Sequence, residues 1–505
     1  MQDYTLNKKI PLLPEQNECV DFMLKHAQCI NAAQTGLGKT YSSCTAVAWM
    51  LLKYKDLHAF LIVPKKAVKA FKKELSTKLK LKFNIMTNDE YVKIPGCRIT
   101  LITHTALEKY SSEILKLKMS GAKLLCLMDE CHNGTQDHDS KFYKTIASLR
   151  KCFTIFWGLT ATPLKNDIEG FYWMSHIVHP GFFGSWNTFK NSFLRTEMVD
   201  NSYWISKGGR RVKKPQFDEI IVGYKNLDFL TKKINEFIIF KQREYKLNFI
   251  YDKVLISDVE KANYMKAGLG LMRKSAKKNW AVRLHDLQKV VDNIEENHRT
   301  VELVNKERLF LKVLKECTER NEVCLVYCDY NEVVSRLEYL IDLYKSSLGI
   351  SDVYKVTGNI SQSKREKVED LLGSGKVVLI TSAGTESINL QKANTLIFYD
   401  SPFSIATFIQ AVGRVTRVDS KFDHQNVHII EAFGTIDTYK RCLIELNGAM
   451  IESLFGKIAT LPLDIAIRDR DIQQELRDGL LWAFKKKKLL TENDLQIILS
   501  GRKLS

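Results

Sequence analysis

The chain has 505 residues, room for roughly two to four domains. Its 76 Lys and Arg residues outnumber 58 Asp and Glu, and the resulting net charge of +18 favours a polyanionic partner, nucleic acid before any other. No apolar run approaches the ~20 residues that a membrane-spanning helix needs, and the opening "MQDYTLNKKIPLLPEQ" lacks a charged-then-apolar leader pattern. A soluble intracellular protein with no membrane partner is therefore expected, in a bacterial or virus-infected cytoplasm or in a nucleus.

In chain order, short β-rich runs alternate with helical stretches. The first half offers "CINAA", "HAFLIVP", "FNIMT", "RITLITH", "LLCLMDE" and "FTIFWGLT" as strands. The second half offers "EVCLVYC", "DVYKVTG", "KVVLITS", "NTLIFYD" and "NVHIIEAF". Continuous Val/Ile/Leu runs separated by helices indicate parallel sheets covered on both faces. Two such sets predict an α/β protein of two lobes, residues 1–184 and 306–455. A mostly helical insertion over 185–305 lies between them, and a helical tail over 456–505 follows. Two basic segments stand out: "SKGGRRVKK", read as a loop, and "FKKKKLL" near the end. Either could meet phosphates or simply be solvated. The 11 cysteines show no C-x-x-C pair. Cys324 and Cys328 share one face of a predicted strand, which suits buried thiols better than a metal site.

"AAQTGLGKT", residues 32–40, follows a predicted strand and precedes the predicted helix "TYSSCTAVAWMLLKY". That context turns a glycine-rich turn into a phosphate cradle. Gly36 and Gly38 let successive N–H groups curl toward one anion, and the helix start adds partial positive charge. Thr35 lies within the loop, Lys39 can reach the β- and γ-phosphates of ATP, and Thr40 can ligate Mg2+. "LLCLMDECH" then ends an apolar strand on two acids, where α/β sheets bind ligands. Asp129 would hold the metal, and Glu130 would polarise the attacking water. In "QAVGRVTR", Arg414 and Arg417 are three apart and share a helix face. Alone they suit an ordinary ion-paired surface; aimed at a γ-phosphate they would act as arginine fingers. Their place in the second lobe would put ATP between the lobes, so that hydrolysis opens and closes a cleft.

The ordered series "LPEQ", "TGLGKT", "LIVPKKAV", "THTAL", "DECH", "GLTATP", "VTGNISQSKRE", "TSAGTESINL", "QAVGRVTR" resembles the motifs of superfamily 2 helicases, over residues 13–417. Within that superfamily "LTATPLKNDIEGFYWMSHIVHPGFFGSWNTFKNSF" most resembles the Swi/Snf-type double-stranded DNA translocases. The resemblance implies two RecA-like lobes and a DNA-dependent ATPase using ATP and Mg2+. It implies that Gln16 reads the adenine, that Gln410 lines the nucleotide cleft, and that Thr160 and Thr162 couple hydrolysis to DNA grip. Lys65, Thr103, Thr105, Thr381, Ser382 and Asn389 fall in segments that contact the DNA backbone in this family, where hydroxyls and amides grip phosphates without reading sequence. The chain departs from the branch at Ala161, Thr385 and Ser387, where glycine is usual. The expected function is ATP-driven movement along duplex or branched DNA with little sequence preference. Strand separation or branch migration by a neighbouring branch, and a non-catalytic nucleic-acid scaffold, are the alternatives. The C-terminal tail could serve DNA structure preference or dock a protein partner.

Overall fold

The computed structural model describes residues 3–164, 168–200, 203–207, 210–214, 217–241, 247–273, 280–294, 302–358, 360, 367–368, 370–382, 390, 392–416, 424–455 and 472–499. The first sheet is built from β1 (Gln28–Asn31), β2 (Leu57–Val63), β3 (Asn84–Met86), β4 (Tyr91–Val92), β5 (Ile99–Thr103), β6 (Lys123–Met128) and β7 (Ile155–Leu159). All pairings among them are parallel except that of β3 with β4. In β2 the pleat sorts a continuous apolar run onto two faces. Leu57, Ala59, Leu61 and Val63 pack in one core, and Phe60 and Ile62 in another. Both faces are covered, which is why the sequence run shows no polar alternation.

The 185–305 stretch carries more strand than the predicted insertion. β8 (Leu194–Asp200) pairs antiparallel with β11 (Phe217–Tyr224), and β9 (Tyr203–Lys207) with β10 (Arg210–Lys214). The basic segment read as a loop is therefore a hairpin. Tyr203, Trp204 and Ile205 favour a strand. β12 (Ile238–Ile239) then joins the first sheet beside β1, and β13 (Leu247–Val254) joins the second beside β18 (Gln425–Ala432). The first sheet thus runs β12-β1-β7-β6-β2-β5-β3-β4.

The second sheet adds β14 (Cys324–Tyr327), β15 (Asp352–Val356), β16 (Lys376–Ile380) and β17 (Thr395–Phe398), in the order β13-β18-β17-β14-β16-β15, wholly parallel. Buried ion pairs fasten its helices. Arg336 makes two bonds to Glu307, at 2.7 and 3.1 Å, with both side chains fully buried. Lys306 sits between Asp292 and Asp437, 2.7 Å from each. Removing one partner from such a pair strands a buried charge, at a cost of about 3–5 kcal/mol. The described part of the tail forms helices Ile472–Lys485 and Glu492–Leu499. Leu476, Leu480, Phe484 and Leu495 share a core with Tyr264, Leu287 and Tyr439, while Lys485, Lys486 and Lys487 stay exposed. Among the described residues no helix is long and apolar enough to cross a membrane.

Candidate active site

The carboxyl ends of β1, β6 and β7 lie side by side, so the residues that follow them meet at one edge. After β1 the chain turns through Gly36 (φ 84°) and Gly38 (φ 76°), both left-handed, a conformation that glycine adopts without strain. Gly38 is also the N-cap of the helix Lys39–Lys53, with no side-chain cap and no acidic residue in the first turn. Its first N–H groups and its dipole are left for an anion. Gln16 closes over this turn. Its Nε2 donates to the Leu37 carbonyl at 2.9 Å, and its Oε1 accepts from the Leu13 N–H at 3.0 Å. A Cβ on Gly38 would stand 2.4 Å from Gln16 Nε2, so the turn tolerates only glycine.

Lys39 Nζ donates to the Ala33 carbonyl inside the loop. Burial pulls its ammonium below the usual lysine range, against the opposing pull of Glu130 and Asp129. Arg414 lies near enough to add to that lowering. This arginine ends the helix Ile405–Val415 of the second lobe. The preceding Gly413 presses on the loop: a Cβ there would fall 2.0 Å from Thr35 Oγ1. Thr35 Oγ1 is itself buried without a hydrogen-bond partner. A glycine-lined recess with a lysine and an orphaned hydroxyl fits the phosphates of ATP, and Thr40 and Asp129 could hold the magnesium ion.

Asp129 follows β6, its N–H donating to the Ile62 carbonyl at 2.9 Å. Burial, and then the neighbouring Glu130, push its carboxyl up to about 7. A carboxyl raised on folding stabilises the fold below the unfolded carboxylate range and loses that contribution as pH climbs through its folded value. Without nucleotide, Asp129→Asn should therefore melt higher than wild type at about pH 8, and the gain should vanish near pH 4. Thermal unfolding at both pH values measures it; an equal shift at each would refute the burial argument.

Glu130 adopts φ 47°, left-handed for a residue with a Cβ, which costs about 1–3 kcal/mol. His132 connects it onward, with Nδ1 3.4 Å from Glu130 Oε2 and 2.8 Å from Thr160 Oγ1. Thr160 Oγ1 also accepts from the Thr162 N–H at 3.0 Å. His104 supports the same turn from behind, with Nε2 3.0 Å from the Asp129 carbonyl. Neither histidine was assigned a role from the sequence, although both sit inside quoted motifs; the signal was their position beside an acid or a threonine.

The other predicted residues are placed unequally. Gln410 is nearly buried on the Ile405–Val415 helix. Lys65 is exposed and paired with Asp89 at 2.8 Å. Thr105 is exposed and accepts from Asn88 at 3.3 Å. Ser382 is exposed, whereas Thr103 and Thr381 are buried. The Thr103 hydroxyl lies 3.4 Å from that of Thr105. Arg417 and Asn389 lie outside the described residues.

Two α/β lobes, with a glycine-rich loop on one and an arginine-bearing helix against it from the other, fit the nucleotide-hydrolysing core of superfamily 2. Residues 15–243 match the SNF2-related domain and residues 305–419 match the helicase conserved C-terminal domain. The chain belongs to the Swi/Snf type of this superfamily, whose members hydrolyse ATP, usually with Mg2+. It is 24% identical to the uncharacterized ATP-dependent helicase YqhH of Bacillus subtilis, over 97% of this chain and 88% of that one. It is 23% identical to the DNA repair and recombination protein RAD54-like of Drosophila ananassae, over 84% of this chain and 60% of that one. Against RAD54B of Gallus gallus the identity is 24%, over 87% and 54%. The chain thus spans little more than half the length of these two repair proteins. The solved Sulfolobus solfataricus SWI2/SNF2 ATPase core in complex with dsDNA aligns over 100% of this chain and 99% of that one, at 18% identity and a TM-score of 0.40.

Proposed function

We propose that this chain is a DNA-stimulated ATPase that tracks along duplex or branched DNA with little sequence preference. Lys39 and the N–H groups of residues 35–40 would hold the triphosphate, Gln16 and Gln410 would flank the nucleotide, and Thr40 and Asp129 would hold Mg2+. Glu130 would take the proton of the attacking water, and Arg414 would offset charge building on the γ-phosphate. Arg417 joins it on family resemblance alone, as Asn389 joins the DNA face. Thr160 and Thr162 would pass the state of the site to the DNA-gripping edge, with His132 as the relay.

The observation that supports this reading is the close approach of Gly413 to Thr35, which brings the Arg414 charge near enough to act on Lys39. One nucleotide would then touch both lobes, so its cleavage changes how they sit and converts chemistry into displacement. The named role of the RAD54-like relatives in DNA repair and recombination supports DNA as the track. Lys65, Thr105 and Ser382 are exposed at strand ends where they could meet backbone phosphates.

The test is ATPase stimulation by single strand, duplex, fork, four-way junction and RNA, each over a salt series. Duplex or junction DNA should stimulate most, with affinity falling steeply as salt rises. Stimulation by RNA alone would refute the DNA assignment, and unwinding of a forked duplex would move the chain to the strand-separating class.

A further inference from the structure

Away from the nucleotide recess, the second lobe buries a cluster of metal-ligating side chains. Cys317 comes from the helix Asn305–Glu319, Glu322 from the turn after it, and His428 from β18. One donor atom from each lies within 4.8 Å of the other two, and all three residues are buried. Cys317 Sγ is 3.9 Å from His428 Nε2. The Cys324 thiol, at the start of β14, lies beside this set, within hydrogen-bonding reach of Cys317.

The other nitrogen of the histidine is also fixed. His428 Nδ1 is 2.8 Å from Asp252 Oδ2, across the β13–β18 pairing. A carboxylate on the far ring nitrogen sets the tautomer that leaves Nε2 free to bind a metal, and this buttress is usual for metal-bound histidine. Glu322 is oriented as well. Its Oε1 accepts from Arg320 Nε at 2.9 Å and from Asn426 at 3.0 Å, and its Oε2 accepts from Thr395 at 2.7 Å. Arg320 Nη2 also approaches Cys317 Sγ, at 3.4 Å. With His428 neutral, a dication and Arg320 together carry three positive charges. Cys317 as thiolate, Glu322 and Asp252 carry three negative ones, so the set closes neutral with Cys324 left as a thiol.

We propose that Cys317, Glu322 and His428 form a structural metal site for a zinc-class dication, with Asp252 as its outer carboxylate. Sulfur, nitrogen and oxygen donors in one compact set match Zn(II) better than Mg2+ or Ca2+, which want oxygen alone. All three donors are buried, away from the nucleotide recess, so the ion is a fastener and not a catalyst. It would pin β13, where the chain enters the second sheet, to the helix Asn305–Glu319 and the start of β14.

The test uses the full chain purified after expression with added zinc. Elemental mass spectrometry should find about one equivalent of metal, and cobalt substitution should give the visible absorption of a thiolate-bound ion. Cys317→Ser should abolish that absorption, and Cys97→Ser should keep it. Asp252→Asn, which leaves all three donors in place, should weaken zinc binding about 10–100-fold in a chelator competition. Wild-type protein that stays metal-free in zinc, or a cobalt spectrum unchanged by Cys317→Ser, would overturn the site. So would a Cys317–Cys324 disulfide in freshly isolated protein.

Discussion

Arg414→Ala is expected to cut DNA-stimulated ATP turnover by about 10³–10⁵-fold, the range that arginine fingers supply. The residue ends the Ile405–Val415 helix, next to the glycine that presses on Thr35, and its charge is felt at Lys39. A cation in that position matters most when charge accumulates on the γ-phosphate, and far less in the ground state. Nucleotide affinity should therefore change little while turnover collapses. Steady-state ATPase at saturating duplex, paired with equilibrium binding of a fluorescent ATP analogue, separates the two. A loss below 10-fold, or a matching loss of affinity, would remove Arg414 from the transition state.

Glu130→Gln should lower turnover by about 10²–10⁴-fold and still bind ATP and Mg2+, because it removes a proton acceptor and no metal ligand. Its backbone is held left-handed between β6 and the turn that His132 stabilises. Gln keeps the size and hydrogen-bonding reach of Glu, so folding should be unaffected. A trapped ATP-bound complex on DNA, detected by nitrocellulose retention of labelled nucleotide, is the expected signature. Turnover within a few-fold of wild type would shift the base role to another group.

The sequence was most readable where one constraint dominates. β2 and β6 are buried on both faces and read as unbroken apolar runs, and every strand quoted from the sequence has a counterpart in the structure. β9 and β10 were hidden because "RRVKK" is mostly charged and only the adjoining "YWISK" favours a strand. β12 is two residues long, too short for any periodicity to register, and its placement depends on β1. At the candidate site the cradle and the two acids were legible because glycines and carboxylates have few other reasons for that spacing. The burial of Thr103 was not legible, because a strand-end threonine reads the same in sequence whether it is exposed or buried. The roles of His104 and His132 depend on distances between segments far apart in the chain. The Cys317–His428 pairing spans 111 positions and leaves no local signature.

The strand β12 has a mechanical consequence. As the chain leaves the first lobe, its carbonyls at Ile239 and Lys241 accept from the N–H groups of Ala32 and Gln34, each at 2.8 Å. Lys241 is also tethered to Glu18. By Leu247 the same chain is already a strand of the opposite lobe. The exit cord is thus stitched to the backbone of the nucleotide loop before it crosses. Any swing of the far half would tug first on Gln34, one residue from Thr35, so the loop could sense the posture of the whole machine through the main chain, with no side-chain messenger.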